Sequence, residues 1–173
     1  MREYDSPLAA ADTFARNSIP MLFAIVFVLL GALPYQIPLL GPIFPALALI
    51  VVYFWSIFRP ELVPAAAVFL IGFFQDVLTG APLGLSSLVL LVVHGVIVNQ
   101  RRVFIGKSFW VAWMGFAVVA TGAALGGWAI ASIFNGIFMS AGALMIQLLL
   151  TVAIYPGFSW AFAMVQKIIP QAE

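Results

Sequence analysis

The chain has 173 residues, of which 65% are hydrophobic and 8% are charged, and its formal net charge at pH 7 is +1. Soluble domains need roughly a quarter of charged residues to cover their surface, so this composition excludes a soluble domain and predicts an integral membrane protein. The sequence contains no cysteine, which excludes disulfide bonds, thiolate metal sites and thiol catalysis.

The predicted elements are membrane-spanning α-helices, because the long apolar runs do not alternate with polar residues as barrel strands would. Residues 1–18 predict a cytoplasmic or interfacial segment, residues 19–166 one all-α domain of six transmembrane helices, and residues 167–173 a cytoplasmic tail. The six predicted spans are Ile19 to Leu33, about Ile37 or Phe44 to Phe58, Val63 to Leu78, Leu83 to Val98, Phe109 to Phe134 and Met139 to Val165. Five spans remain the alternative, if the second and third form one broken pair.

The basic residues predict the orientation. With six spans, all of them fall on one side of the membrane; they are Arg2, Arg16, Arg59, Arg101, Arg102, Lys107 and Lys167. Because cytoplasmic loops carry an excess of Lys and Arg, both termini are expected in the cytoplasm.

Two cytoplasmic connections carry charge. Arg59, Pro60 and Glu61 predict the turn between spans two and three, where proline ends one helix and the two charged side chains can pair. The basic loop after span four contains Arg101, Arg102 and Lys107. Such a loop is typical of an orientation signal that also touches anionic lipid, and a contact for a cytoplasmic partner is the alternative.

Two ionisable side chains interrupt the apolar runs. Asp76 lies near the outer end of span three, where an acid is a functional candidate by default. As a structural residue it could instead accept hydrogen bonds from Thr79, Gly80 or the start of span four and fix the turn. His94 lies about 16 Å further inward along span four, so we expect it to bond a helix carbonyl and not to pair with Asp76.

Span five carries small residues on one side of the predicted helix: Ala112, Gly115, Gly122, Gly126 and Ala129. Gly122 and Gly126 form a GxxxG pair, and small residues let helices approach closely in lipid. This face therefore predicts close packing, either within the bundle or against the helix of a partner.

Catalysis has little support in the sequence. An aspartyl protease needs two carboxylates, and only Asp76 qualifies. Ser87 and His94 share a helix face but lie roughly 10 Å apart along it, too far for a nucleophile and its base. Metal-ligand clusters and P-loop spacing are missing from the sequence, so we expect no enzyme, no cofactor and no nucleic-acid partner.

From Tyr53 to about Gly95 the chain resembles the family of the bacterial rod shape-determining protein MreD. Arg59-Pro60, Phe69 and the stretch from Gln75 to Gly84 carry the resemblance. Its core is a Gly-x-x-x-Asp-x-x-x-Gly-x-Pro-x-Gly spacing formed by Gly72, Asp76, Gly80, Pro82 and Gly84.

This resemblance implies a non-catalytic inner-membrane scaffold of the cell-elongation complex that supports peptidoglycan synthesis and rod shape. It implies as partners the transmembrane helix of MreC, RodA with its transpeptidase and, indirectly, MreB. It also implies a fold similar to the substrate-binding subunits of energy-coupling-factor transporters. The alternative is therefore a small-molecule carrier with an outward-facing polar pocket, for which the candidate residues are Gln36, Gln75, Asp76, Thr79, Asn135 and Ser140.

Overall fold

A computed structural model describes residues 19–32, 45–136 and 141–166. These residues form six α-helices, which are α1 (Ile19–Ala32), α2 (Leu47–Phe58), α3 (Ala65–Thr79), α4 (Leu85–Gln100), α5 (Phe109–Asn135) and α6 (Ala141–Gln166). Short 3-10 helices, Pro60–Leu62 and Arg101–Val103, follow α2 and α4. A helix overlaps each of the six predicted spans, and the described ranges contain no strand. The N-terminal segment 1–18 and the tail 167–173 lie outside the described residues.

Three predicted starts are too early. Helices α3 and α4 each begin two residues after the predicted Val63 and Leu83. Helix α2 begins at Leu47, after either of the starts expected for span two. Pro45 precedes it, and the Leu47 N–H donates to the Pro45 carbonyl at 2.8 Å in a turn that comes before the first helical hydrogen bonds. Helices α2 and α3 are separate, because the 3-10 helix Pro60–Leu62 stands between them.

Among the described residues, two helices are long and apolar enough to cross a bilayer: Phe109–Asn135, and α6 over Ala141–Met164. At 1.5 Å per residue each exceeds the ~30 Å hydrocarbon thickness. Leu47–Phe58 and Ala65–Thr79 are apolar but shorter. The fold is that of a helical membrane protein, whereas six crossings with both termini inside remain a prediction.

Helix α2 is the centre of the bundle. Every residue from Leu47 to Ile57 is buried, and the side chains of Tyr53 and Trp55 have no exposed surface. Helices α1, α3, α4 and α6 all contact it. A helix of 12 residues spans only about 18 Å, which is enough for a helix that neighbours surround but too little for one that must cross lipid alone.

The large exposed side chains of α5 are apolar, as expected for a lipid-facing surface. Trp110, Met114, Val118, Leu125 and Ile133 are all more than half exposed. The exposed polar side chain Asn135 stands at the last position of the helix, so water would solvate the rest of this apolar surface poorly and lipid would cover it well.

Aromatic rings join α2, α5 and α6. The Tyr53 hydroxyl donates to the Ala112 carbonyl at 2.9 Å. The rings of Phe116 and Tyr155 stack with centroids 4.2 Å apart, and both lie against Tyr53. Trp113 adds a bond from its indole Nε1 to the Val152 carbonyl at 3.0 Å. These contacts fix the N-terminal half of α5 against the bundle.

Candidate functional site

The buried carboxylate of Asp76 binds the start of α4. Its Oδ2 accepts the backbone N–H of Gly84 at 2.8 Å, and its Oδ1 accepts that of Ser86 at 3.0 Å. The first N–H groups of a helix have no partner within the helix, and a carboxylate also suits the positive end of the helix dipole. Asp76 therefore caps α4 from the neighbouring helix.

The turn between α3 and α4 requires glycine at two positions. Gly80 ends α3 with φ +68°, and Gly84 precedes α4 with φ +93°. Both angles lie in the left-handed region that other residues adopt at a cost. The Pro82 carbonyl accepts the Leu85 N–H at 3.1 Å between them. The Thr79 hydroxyl donates to the Gln75 carbonyl at 2.8 Å, so it does not serve Asp76 as the sequence had suggested.

Gly72 lies outside this turn. It is buried within α3, where a Cβ would meet the backbone of Ser86 and Ser87 on α4 well inside van der Waals distance. The Ser87 hydroxyl reaches back to the Phe69 carbonyl at 3.1 Å. Gly72 and Asp76 are four residues apart and thus share the α3 face that packs on α4. The family spacing accordingly describes a helix crossing together with its turn.

His94 has a different partner from the one expected. Its Nδ1 lies 2.8 Å from the hydroxyl Oγ of Ser56 on α2, where we expected a helix carbonyl. The reason is that α2 is the core helix and brings a polar side chain to this depth. Ser87 donates to the Phe69 carbonyl instead, so the serine that His94 meets is Ser56 and not Ser87.

The small-residue face of α5 is divided between two environments. Ala112 and Gly115 lie inside the bundle, where a Cβ on Gly115 would crowd Phe104 and stand 2.9 Å from the Tyr53 hydroxyl. Gly122 and Gly126 are exposed and have open space around them. Ala129 is half-buried. Only the GxxxG pair is therefore available to a partner.

An apolar groove runs between α4 and α5 beside this pair. It has a volume of about 270 Å³, and its lining is Leu88, Val89, Val92, Val93 and Val96 from α4 with Val119, Gly122, Ala123, Gly126 and Ile130 from α5. Both walls are aliphatic, and the two glycines leave the α5 backbone uncovered. We call this feature the α4–α5 groove.

A second, smaller cavity of about 160 Å³ lies among α2 to α6 near the α3–α4 turn. Its polar lining is Gln75, Ser86, Gln147 and Thr151.

Of the polar residues predicted for an outer pocket, Gln75 alone lines this cavity. Asp76 and Thr79 are bonded within the turn, Asn135 donates to the Ala131 carbonyl, and Gln36 and Ser140 lie outside the described residues. Gln147 and Thr151 were missed, although two polar residues one helical turn apart in an apolar run are a readable signal.

The charged connections lie where the sequence puts them. Arg59 and Glu61 pair at 3.6 Å beside Pro60. Arg101 and Arg102 begin the 3-10 helix that follows α4, and Lys107 is exposed nearby. The described residues contain no group of three His, Asp or Glu side chains that could hold a metal ion.

The comparison with known families matches nearly the whole chain. The model of the rod shape-determining protein MreD matches residues 13–168. No curated protein and no solved structure matches the chain. The resemblance carried by residues 53 to 95 is thereby confirmed and extends to all of the described helices.

Proposed function

This chain belongs to the family of rod shape-determining proteins MreD, and we propose that it acts as a non-catalytic scaffold that receives the transmembrane helix of a partner protein. The observation that carries the proposal is the open α4–α5 groove. Its site in the cell is the bacterial inner membrane, which the chain crosses six times with both termini in the cytoplasm.

The chemistry of the groove favours a membrane-embedded helix as its occupant. Almost the whole lining is aliphatic, so a polar ligand would lose its hydration without gaining hydrogen bonds. In lipid, helices associate through close packing and not through burial from water. Gly122 and Gly126 permit that packing, because a partner helix can reach the α5 backbone at both positions.

The partner that best fits this role is MreC, whose membrane helix would lie in the α4–α5 groove. The support is membership of the family together with an apolar groove that has the exposed GxxxG pair in its wall. RodA and its transpeptidase would join on other faces, and MreB would be linked indirectly from the cytoplasm. In this arrangement the chain holds wall-synthesis proteins together and contributes no reacting group to peptidoglycan synthesis.

Leucine substitutions in the groove test the proposal. Gly122→Leu and Gly126→Leu fill it, and we expect each to lower recovery of MreC in a mild-detergent pull-down at least five-fold. The matched control is Gly157→Leu on α6, which is also an exposed helical glycine with open space around it. Recovery of MreC at the wild-type level with both groove variants would exclude the α4–α5 groove as its binding site.

A small-molecule carrier is the second candidate, and the smaller cavity supports it. The Oε1 atom of Gln75 is buried without a hydrogen-bond partner, which costs free energy unless a ligand or water donates to it. A neutral ligand with one donor group would suit this lining. Co-purification of a small molecule that Gln75→Leu abolishes, together with recovery of ATPase subunits, would favour the carrier over the scaffold.

A further inference from the structure

The cytoplasmic end of α4 carries an open recess of about 650 Å³ that the scaffold role does not use. Its lining is His94, Gly95, Val98 and Asn99 from α4, with Arg101 and Arg102 from the following 3-10 helix. One space at the end of α4 is therefore surrounded by two guanidinium groups, an amide and an imidazole. The exposed side chains further along this helix are apolar.

The charge of this recess is not neutralised by the described part of the chain. Glu61 and Asp76 are the two carboxylates among the described residues. Glu61 pairs with Arg59, and Asp76 is bound to Gly84 and Ser86 at the opposite end of α4. Neither Arg101 nor Arg102 forms an ion pair with a described residue, so the recess presents two positive charges to an anion.

The remaining lining favours phosphate joined to an apolar chain. Arginine binds phosphate oxygens through paired N–H groups. His94 is held at Nδ1 by Ser56, which leaves Nε2 as the ring nitrogen that can meet a ligand. Gly95 has open space where a side chain would stand, and Leu91 and Val98, one turn to either side of it on the same helix face, are aliphatic and partly exposed. An acyl chain can lie along this surface while its headgroup occupies the recess.

We propose that this recess binds the phosphate headgroup of an anionic phospholipid in the cytoplasmic leaflet. Basic pockets at the cytoplasmic ends of membrane helices are suited to such headgroups. Binding at this site differs from the general attraction between a basic loop and the membrane surface. Here Arg101 and Arg102 bind the headgroup, whereas Lys107, which lies in the same loop but outside the lining, does not.

The test is native mass spectrometry of the full-length chain in detergent, titrated with phosphatidylglycerol or with zwitterionic phosphatidylcholine. The detergent is non-ionic, so its micelle has no anionic surface and long-range attraction contributes little. We expect phosphatidylglycerol to bind at least ten-fold more tightly than phosphatidylcholine. The Arg101→Gln, Arg102→Gln double variant should lose at least ten-fold of this affinity, and Lys107→Gln less than two-fold.

Gly95→Leu provides a variant without a change of charge. The leucine side chain fills the recess at a helical position with open space, so the variant should fold. We expect it to weaken the binding of phosphatidylglycerol several-fold. Equal binding of the two lipids would overturn the proposal, as would equal losses from Lys107→Gln and the arginine variant. Displacement of the lipid by excess inorganic phosphate would assign the recess to a free anion, and displacement by an acidic peptide to a cytoplasmic protein.

Discussion

The carboxylate of Asp76 on α3 accepts the backbone N–H of Ser86 on α4 at 3.0 Å, across the turn that joins the two helices. Asp76 is fully buried, yet both of its oxygens have backbone partners at the start of α4. An acid in an apolar helix can therefore be retained to organise a turn, without handling protons or substrate.

The first prediction separates this capping role from a role that needs charge. Asp76→Asn keeps one acceptor oxygen, so we expect a loss of about 1 kcal/mol of stability. Asp76→Leu leaves the N–H groups of Gly84 and Ser86 unpaired, and the loss should reach about 3 kcal/mol. Thermal unfolding in detergent measures both. If a well-folded Asp76→Asn variant instead lost partner binding as completely as Asp76→Leu, the result would favour a function that requires the negative charge.

The second prediction concerns Gly72, where the backbones of α3 and α4 meet. Gly72→Ala places a methyl group against the Ser87 backbone, which cannot yield as a flexible side chain would. We expect it to destabilise the protein by about 2–3 kcal/mol, the upper range for overpacking. Gly95→Ala is the control, because the same change in open space should be neutral or stabilise by up to ~1 kcal/mol. Similar unfolding midpoints for the two variants would show that the crossing tolerates a methyl group.

Much of the fold was predictable from the sequence, because proline, glycine and charge mark the ends of the apolar runs. Which helix lies in the core of the bundle and which lies at its surface was not predictable. Helices α2 and α5 are both apolar on every side, yet one is the core and the other faces lipid. In a membrane the exterior is as apolar as the interior, so hydrophobicity alone does not distinguish the two.

The candidate site was predictable where its contacts are local. The bonds from Asp76 to the start of α4 span eight and ten residues. The pattern of Gly80, Pro82 and Gly84 between these residues indicates the turn that brings them together. The small-residue face of α5 is buried at Gly115 because Tyr53 and Phe104 pack there, and both are distant from Gly115 in the sequence. The Ser56–His94 bond likewise depends on how α2 and α4 are aligned, which no spacing within one helix reveals.

The third prediction uses that bond in a double-mutant cycle. Ser56→Ala leaves the Nδ1 of His94 buried without a partner, and we expect a loss of about 1–2 kcal/mol. His94→Leu should cost a similar amount, since the Ser56 hydroxyl is fully buried. If the two groups stabilise each other, the double variant should lose less than the sum by about 1 kcal/mol. Additive losses would indicate that the contact contributes no net stability.

The final prediction maps the partner helix directly, and the absence of cysteine makes it practicable. Single cysteines at Val92 and Gly126 stand on the two walls of the α4–α5 groove, whereas a cysteine at exposed Trp160 lies on α6, away from it. Because a disulfide requires Cα atoms within about 7 Å, we expect oxidation to link the two groove positions to cysteines placed along the MreC membrane helix, with a helical period. The Trp160 position should give no link. Equal linkage at all three positions would indicate random collision in the membrane, and linkage at Trp160 alone would move the partner helix to α6.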